Sequence, residues 1–348
     1  SVPRLQDDKD EELVPIMGAP PVLSKLPQEC AFLPRCVYAC DTCRKEKCPE
    51  LRQVGDGHFV ACHINVRENG TGAAGTPKAS GTVREDAGEK GEILLKIEGL
   101  KMHFPVTKGV FGVHAGTVNA VDDISFTIRK GETFGLVGES GCGKSTTARL
   151  ITGLVQADAG SVLLEGEEIL GRKGRRQREV YRKIQMVFQT PQDSFDPMQT
   201  LETGILEAFR NQGMSRKEAC LHLPELLKKV ELSSETAMRY PRETSGGECQ
   251  RAAIARALAV QPSLLICDEA TSALDAAVQA QIVQLLKKLQ REEGLAMLWI
   301  GHDLALVREL CSRVIVMRQG KIVEQGETRE VLEYPKEEYT KLLMEYSL

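Results

Sequence analysis

Residues 138–146 read GESGCGKST, directly behind the apolar run Thr133–Val137 (TFGLV) and directly ahead of the helix-compatible continuation TARLITGL. Gly138, Gly143, Lys144 and Ser145 fill the template G-x-x-x-x-G-K-S/T, and the strand before and helix after it supply the context that the template needs. Glycines let backbone N–H groups turn inward, the new helix presents its positive end, a lysine bridges the outer phosphates and a serine hydroxyl can ligate magnesium. Gly138, Ser140, Gly141, Gly143, Lys144, Ser145 and Thr146 are therefore the expected phosphate cradle of an ATP site. Read blandly, the same residues are a Gly-rich turn between a strand and a helix.

Outward from this loop the pattern is α/β. Upstream, LLKIEGLKMHF and TVNAVDDISFTI alternate apolar and polar residues as half-buried strands do, and GSVLLEG (160–166) adds a short strand. The basic tract Arg172–Arg178 lacks interleaved aromatics and reads as a solvated helix face. Between Gln189 and Thr244 the texture is helical, which interrupts the strand and helix alternation and suggests an inserted helical subdomain at about 190–260. LLIC, AMLWI, VIVM and KIVEQ then alternate with helical runs, arguing a parallel sheet covered on both faces.

The run Ser263–Cys267 ends in Asp268 and Glu269, two carboxylates at the carboxyl end of a buried strand, where sites of open parallel sheets lie. Asp268 is the expected magnesium partner and Glu269 the base or water-positioning residue. In TSGGECQR (244–251), Ser245 and Glu248 form an S-x-x-E capping box. Gly246 and Gly247 at the positive end of that helix also leave room for a phosphate.

GESGCGKST, Gln189 in MVFQ, TSGGE, LLICDE, SALD and His302, in this order and spacing, resemble the ATP-binding subunit of an ABC transporter across 93–348. The resemblance implies a P-loop ABC ATPase fold with an antiparallel β subdomain. It implies that Gln189 senses the γ-phosphate and magnesium, and that Ser245, Gly246 and Gly247 contact ATP held by a partner domain. Asp275 would lie at the dimer interface and His302 at the γ-phosphate, so Glu269, His302 and Gln189 form the catalytic set and Ser145, Gln189 and Asp268 the magnesium set. Phe104 stands near the position of the aromatic that stacks on adenine; by itself it reads equally as a core residue at a strand end. VNAVDDISFTI, CDEATSALDAAVQAQIVQLL and YPKEEYTKLL resemble the oligopeptide and dipeptide importers, including their nickel-transporting relatives. Thr244, Glu248, Cys249 and Gly301 depart from the usual pattern without removing a group that touches phosphate, magnesium or water.

The 348 residues carry a net charge of -4, a balance that lacks the basic field of a nonspecific nucleic-acid binder, and no apolar run is long enough to span a bilayer. The acidic opening SVPRLQDDKDEEL fits neither a signal peptide nor a presequence, so the expectation is a soluble, cytoplasmic chain that begins within a longer polypeptide. Residues 1–29 are a Pro-rich acidic arm, 30–63 a Cys-rich unit too small for a core of its own, and 64–92 a flexible Gly-rich linker. Of the eleven cysteines, Cys30, Cys36, Cys40, Cys43, Cys48 and Cys62 crowd the second segment, a density that favours metal over disulfides in a cytosolic chain. Cys142, Cys220, Cys249, Cys267 and Cys311 read as ordinary small, mostly buried residues.

Spacing alone allows zinc (Zn2+), drawn from those six thiols with His58 and His63, and Cys40–Cys43 is a zinc-like C-x-x-C pair. The segment also resembles the C-terminal extension of peptide-importer ATPase subunits, and that resemblance implies a 4Fe-4S cluster on Cys30, Cys36, Cys43 and Cys62. Because the extension here precedes an ATPase domain, the natural polypeptide is expected to be a fusion of two ATPase subunits. The expected function is ATP hydrolysis, with Mg2+, that powers import of peptides or a similar small solute at the cytoplasmic face of the bacterial inner membrane. The implied partners are a second ATPase domain, two transmembrane permease subunits and an extracytoplasmic substrate-binding protein, with no nucleic acid. Two other classes remain open: a soluble ABC ATPase acting on ribosomes or DNA, and a redox-regulated ATPase centred on the cysteine unit.

Overall fold

The computed structural model describes residues 30, 33, 36, 39–45, 48–55, 58–63, 91–108, 113–171 and 174–346. The arm at 1–29 and nearly all of the linker at 64–92 lie outside the described residues. Those described fall into two units, one up to His63 and one from Gly91 onward. In the first, a single helical turn, α1 (Asp41–Lys45), precedes the hairpin β1 (Arg52–Gly55) and β2 (His58–Val60), in which Gln53 pairs with Phe59.

The second unit opens with β3 (Ile93–Lys108) and β4 (Val113–Arg129), then β5 (Thr133–Val137), α2 (Lys144–Ile151), β6 (Ala159–Leu164), β7 (Glu167–Glu168), α3 (Arg175–Lys183) and β8 (Ile184–Val187). Four helices follow without a strand: α4 (Leu201–Asn211), α5 (Arg216–Lys229), α6 (Ser234–Ala237) and α7 (Gly246–Leu258). The chain then returns to alternation through β9 (Leu264–Asp268), α8 (Ala276–Glu293), β10 (Ala296–Gly301), α9 (Leu304–Leu310), β11 (Arg313–Arg318), β12 (Lys321–Glu327), α10 (Thr328–Glu333) and α11 (Glu338–Tyr346). Residues 175–178 of the basic tract fall on α3, where Arg176 and Arg178 are exposed as on a solvated helix face, and residues 172–173 lie outside the described residues.

Two sheets organise this unit. One has the order β4-β3-β6-β7 and is antiparallel throughout; the other has the order β12-β11-β5-β10-β9-β8 and is parallel from β8 to β11. The last strand departs from the expected parallel sheet, because β12 pairs antiparallel with β11. The cause is local. Gln319 and Gly320 have φ of 48° and 81°, the two left-handed positions of a tight hairpin turn, and two residues cannot carry a parallel crossover.

Alternation along the parallel strands divides the core. Phe134, Leu136, Leu264, Ile266, Leu298, Ile300 and Ile315 face Ile97, Ile128, Leu150 and Ile151, while Leu265, Cys267, Met297, Trp299, Val314 and Val316 face Ile254, Leu285, Leu286 and Val307. Both faces being covered is why these strands read as unbroken apolar runs. Each fully buried Leu or Ile contributes about 1.5–3 kcal/mol, so the register of this sheet is strongly fixed. The carboxyl ends of β8, β9, β10 and β5 therefore meet one edge, with Val187 beside Cys267, Asp268 beside Ile300 and Gly301 beside Val137.

Candidate nucleotide site

The phosphate loop, Gln189, Asp268, Glu269 and His302 lie at or just past these strand ends. After β5 the chain turns through Gly138 at φ 149° and enters α2 through Gly143 at φ 112°. A Cβ on Gly138 would stand 2.2 Å from the Met317 carbonyl oxygen, and one on Gly143 would stand 2.1 Å from that of Ala120, so both positions demand glycine. Buried Lys144 donates from Nζ to the Gly138 and Glu139 carbonyl oxygens at 2.7 and 2.8 Å. The loop is thus curled around its own lysine, with the α2 amides open toward the cleft.

Ser145 Oγ donates to Asp268 Oδ1 at 3.1 Å, joining the start of α2 to the end of β9. Burial raises the Asp268 carboxyl above its ordinary value and the neighbouring Glu269 charge adds to this, against the pull of the Ser145 hydrogen bond. A cation beside Asp268 reverses that penalty. A hydroxyl and a carboxylate held together are hard oxygen donors, and they suit Mg2+. Gln189, just past β8, donates from Nε2 to Glu269 Oε2 at 2.8 Å, while His302, just past β10, places Nδ1 3.6 Å from Glu269 Oε1. Glu269 is itself held at φ 49°, its amide donating to Ile300 O at 2.9 Å. The structure thus brings Lys144, Ser145, Gln189, Asp268, Glu269 and His302 to one strand edge.

A cleft of about 910 Å³ opens there, lined by Ser140, Gly141, Gly143, Lys144, Ser145, Thr146 and Glu269 from the predicted set. Its further wall comes from Val118, Asn119, Arg318, Gln319 and Lys321, which motif reading missed. The signal was present in part: Arg318 ends β11, a strand of the same parallel sheet. Phe104 is half-exposed and pairs across the strands with Val118, and it is Val118, not Phe104, that lines the cleft.

Two predicted groups stand apart from this cleft. Ser245 caps α7 and forms the expected capping box with Glu248, their backbone bonds being 2.8 and 3.3 Å long. A Cβ on Gly247 would come within 2.4 Å of Val278, so α7 approaches the start of α8 closely. Asp275 caps α8, accepting from the Ala277 and Val278 amides at 3.1 Å each. Buried Cys142, Cys249, Cys267 and Cys311 match the expectation of small core residues, and burial pushes the Cys267 thiol up to about 12. Cys220, on α5, is the exposed one of the five.

In the first unit the sulfurs of Cys40 and Cys43 come within 3.6 Å, as i and i+3 on one helical turn. Hydrogen bonds from the backbone and thiol of Cys43 hold Cys40 below its ordinary value. Cys43, despite an opposing backbone bond from Cys40, is pushed up by burial and by the charges of Cys40 and Cys62. Among the described residues no three His, Cys, Asp or Glu side chains are gathered closely enough to hold a metal ion. Cys30, Cys36, Cys43 and Cys62 as placed do not form a four-thiolate cradle. The thiols in contact are those of Cys40 and Cys43, one helical turn apart, with Cys62 near enough for its charge to act on Cys43.

Residues 121–272 match the family model described as ABC transporter, and residues 1–43 match that of the oligopeptide/dipeptide transporter C-terminal region. The oligopeptide transport ATP-binding protein OppF of Bacillus subtilis is 49% identical over 256 residues, which cover 73% of this chain and 82% of that protein. OppD of Mycobacterium tuberculosis, also an oligopeptide transport ATP-binding protein, is 41% identical over 345 residues, 99% of this chain. The chain spans only 56% of the length of that mycobacterial relative. Among solved structures, a dimeric ATP-binding cassette in a post-hydrolysis state bound to ADP and Pi superposes with a TM-score of 0.61 at 29% identity, covering 68% of this chain and 99% of the other.

Proposed function

Since the chain belongs to the oligopeptide-transport ATP-binding subunits of the ABC transporter family, we propose that it hydrolyses ATP to drive import of oligopeptides or dipeptides. The observation that carries this reading is the convergence of the phosphate loop, the Ser145–Asp268 pair and the Gln189–Glu269–His302 group at one edge of the parallel sheet. Ser145, Asp268 and Gln189 would hold Mg2+, which supplies positive charge against the phosphates. Lys144 and the α2 amides bind and orient the phosphate chain, and Val118 packs against the base. The Glu269 carboxylate, fixed by the Gln189 amide, orients the attacking water and receives its proton, while His302 stands at the γ-phosphate.

Ser245, Gly246 and Gly247, lying away from this chain's own cleft, support a closed state in which they meet the nucleotide of a second ATPase domain, with Asp275 at that interface. The match of a C-terminal-region model to residues 1–43, ahead of the ATPase domain, supports a second such domain within the same polypeptide. Two permease subunits and an extracytoplasmic substrate-binding protein complete the proposed importer, with this domain on the cytoplasmic face of the inner membrane. Among the described residues no helix is long and apolar enough to cross a membrane.

The expected outcome is Mg2+-dependent ATP hydrolysis that Lys144→Ala abolishes and that peptide-loaded binding protein stimulates in permease-containing vesicles. Wild-type turnover no higher than that of Lys144→Ala in those vesicles would sink the proposal. For the first unit we carry a 4Fe-4S cluster on Cys30, Cys36, Cys43 and Cys62 as the finer reading, supported by the family match across the first three of these positions. Anaerobic metal analysis decides it: about four irons per chain with broad visible absorbance, lost in a Cys30→Ala, Cys36→Ala double variant, supports the cluster. Stoichiometric zinc without colour replaces it.

A further inference from the structure

The last helix of the chain reaches back to the phosphate loop. Its approach is fixed by Glu324 of β12, whose carboxylate accepts the amides of Lys336 and Glu337 at 2.9 and 3.2 Å. From the first turn of α11, Tyr339 turns inward until only 6% of it is exposed, and its hydroxyl oxygen accepts the Glu139 amide N–H at 3.2 Å. That N–H belongs to the same planar peptide as the Gly138 carbonyl, which accepts the Lys144 ammonium at 2.7 Å. One rigid peptide at the mouth of the loop is therefore held at both ends, by Lys144 on its oxygen and by Tyr339 on its nitrogen. The Tyr339 ring also lies under the Arg318 guanidinium, 4.7 Å from its centroid, and Arg318 lines the cleft. α11 lies outside the residues matched by the ABC transporter model, so these contacts belong to no motif of the nucleotide site.

We propose that Tyr339 is a positioning residue of the nucleotide site, through which the docking of α11 sets the orientation of the Gly138–Glu139 peptide and hence the affinity for nucleotide. The proposal rests on the reading of 138–146 as the phosphate cradle. It follows from geometry: a peptide that loses one anchor can rotate, and rotation moves the carbonyl that holds Lys144. Tyr339→Phe keeps the ring and its stack on Arg318 and removes only the acceptor. An element packed at the far end of the chain thereby gains a hold on the first residues of the loop.

The test compares ADP binding by isothermal titration, and amide hydrogen exchange across 138–143 without nucleotide, for the wild type, Tyr339→Phe, Glu324→Ala and Lys144→Ala. Tyr339→Phe is expected to bind ADP about three- to tenfold more weakly, the size expected for one lost hydrogen bond, with unfolding temperature preserved and faster exchange at Glu139. Glu324→Ala, which touches no part of the cleft, should shift both readouts the same way by less. Affinity within twofold of wild type and unchanged exchange in Tyr339→Phe would overturn the proposal. Should Tyr339→Phe fail to fold, the wild type decides: a Glu139 amide that exchanges as freely as an unprotected loop amide overturns the clamp, and a protected one that Glu324→Ala loosens supports it. If wild type and Lys144→Ala bind ADP alike, the cradle reading itself fails, while the exchange readout still reports on the clamp.

Discussion

Glu269 occupies a left-handed backbone position between two strand ends, with an amide on one of its oxygens and an imidazole facing the other. A carboxylate so placed orients and deprotonates water, a role worth roughly 100- to 10,000-fold in rate. Glu269→Gln is expected to lower ATP turnover by at least about 100-fold while ATP affinity stays within a few-fold, checked by single-turnover hydrolysis beside equilibrium binding. The wall of the cleft at Val118 yields a second contrast. Val118→Asp should weaken nucleotide binding several-fold and Phe104→Ala should leave it nearly unchanged, because Val118 lines the cleft and Phe104 does not. The convergence of Lys144, Ser145 and Asp268 was legible in the sequence because the phosphate-loop and strand-end carboxylate patterns restrict both residue type and spacing. Val118, Arg318 and Tyr339 were not, since any apolar, cationic or phenolic side chain at a strand or helix end reads the same until the chain is folded.

At the scale of elements, the cap of α7 has one observed role and one proposed role. Ser245 satisfies the first turn of the helix, and the same residue is proposed to meet a partner's phosphate. Ser245→Ala is expected to cost about 1 kcal/mol of stability by chemical denaturation. Its loss of ATP turnover should exceed what that cost explains. The cap also carries a pH signature. Burial alone would raise the Glu248 carboxyl, but the Ser245 backbone and hydroxyl, the Arg239 charge and Thr236 together hold it below the ordinary 4.5. A depressed carboxylate contributes stability above its unfolded value, and the contribution fades as pH falls through the lowered one. Denaturation midpoints should therefore drop on acidification below about pH 4.5, and Glu248→Gln should flatten that slope. The alternating strands and the run of four helices were visible in periodicity. The antiparallel β12 was not, because its cause is two backbone angles at Gln319 and Gly320, whereas the Cys40–Cys43 pair was legible as a C-x-x-C spacing that a single helical turn closes.

For the molecule as a whole, the proposed closure of α7 on the nucleotide of a second cassette predicts a nucleotide-dependent mass. Glu269→Gln with ATP should sediment at twice the mass seen with ADP, and a mass independent of nucleotide would count against a sandwiched pair. The alternating register of the parallel sheet carries a different consequence, for which changes this protein can survive. Removing one residue from within Leu264–Cys267 would draw Asp268 back by about 3.3 Å and exchange the two faces of every residue behind it. Conservative replacements in the same stretch would leave the spacing intact. Length variation among descendants of this gene should thus be confined to the turns at the amino ends of the strands, and codons inside the strands should tolerate exchange but neither gain nor loss.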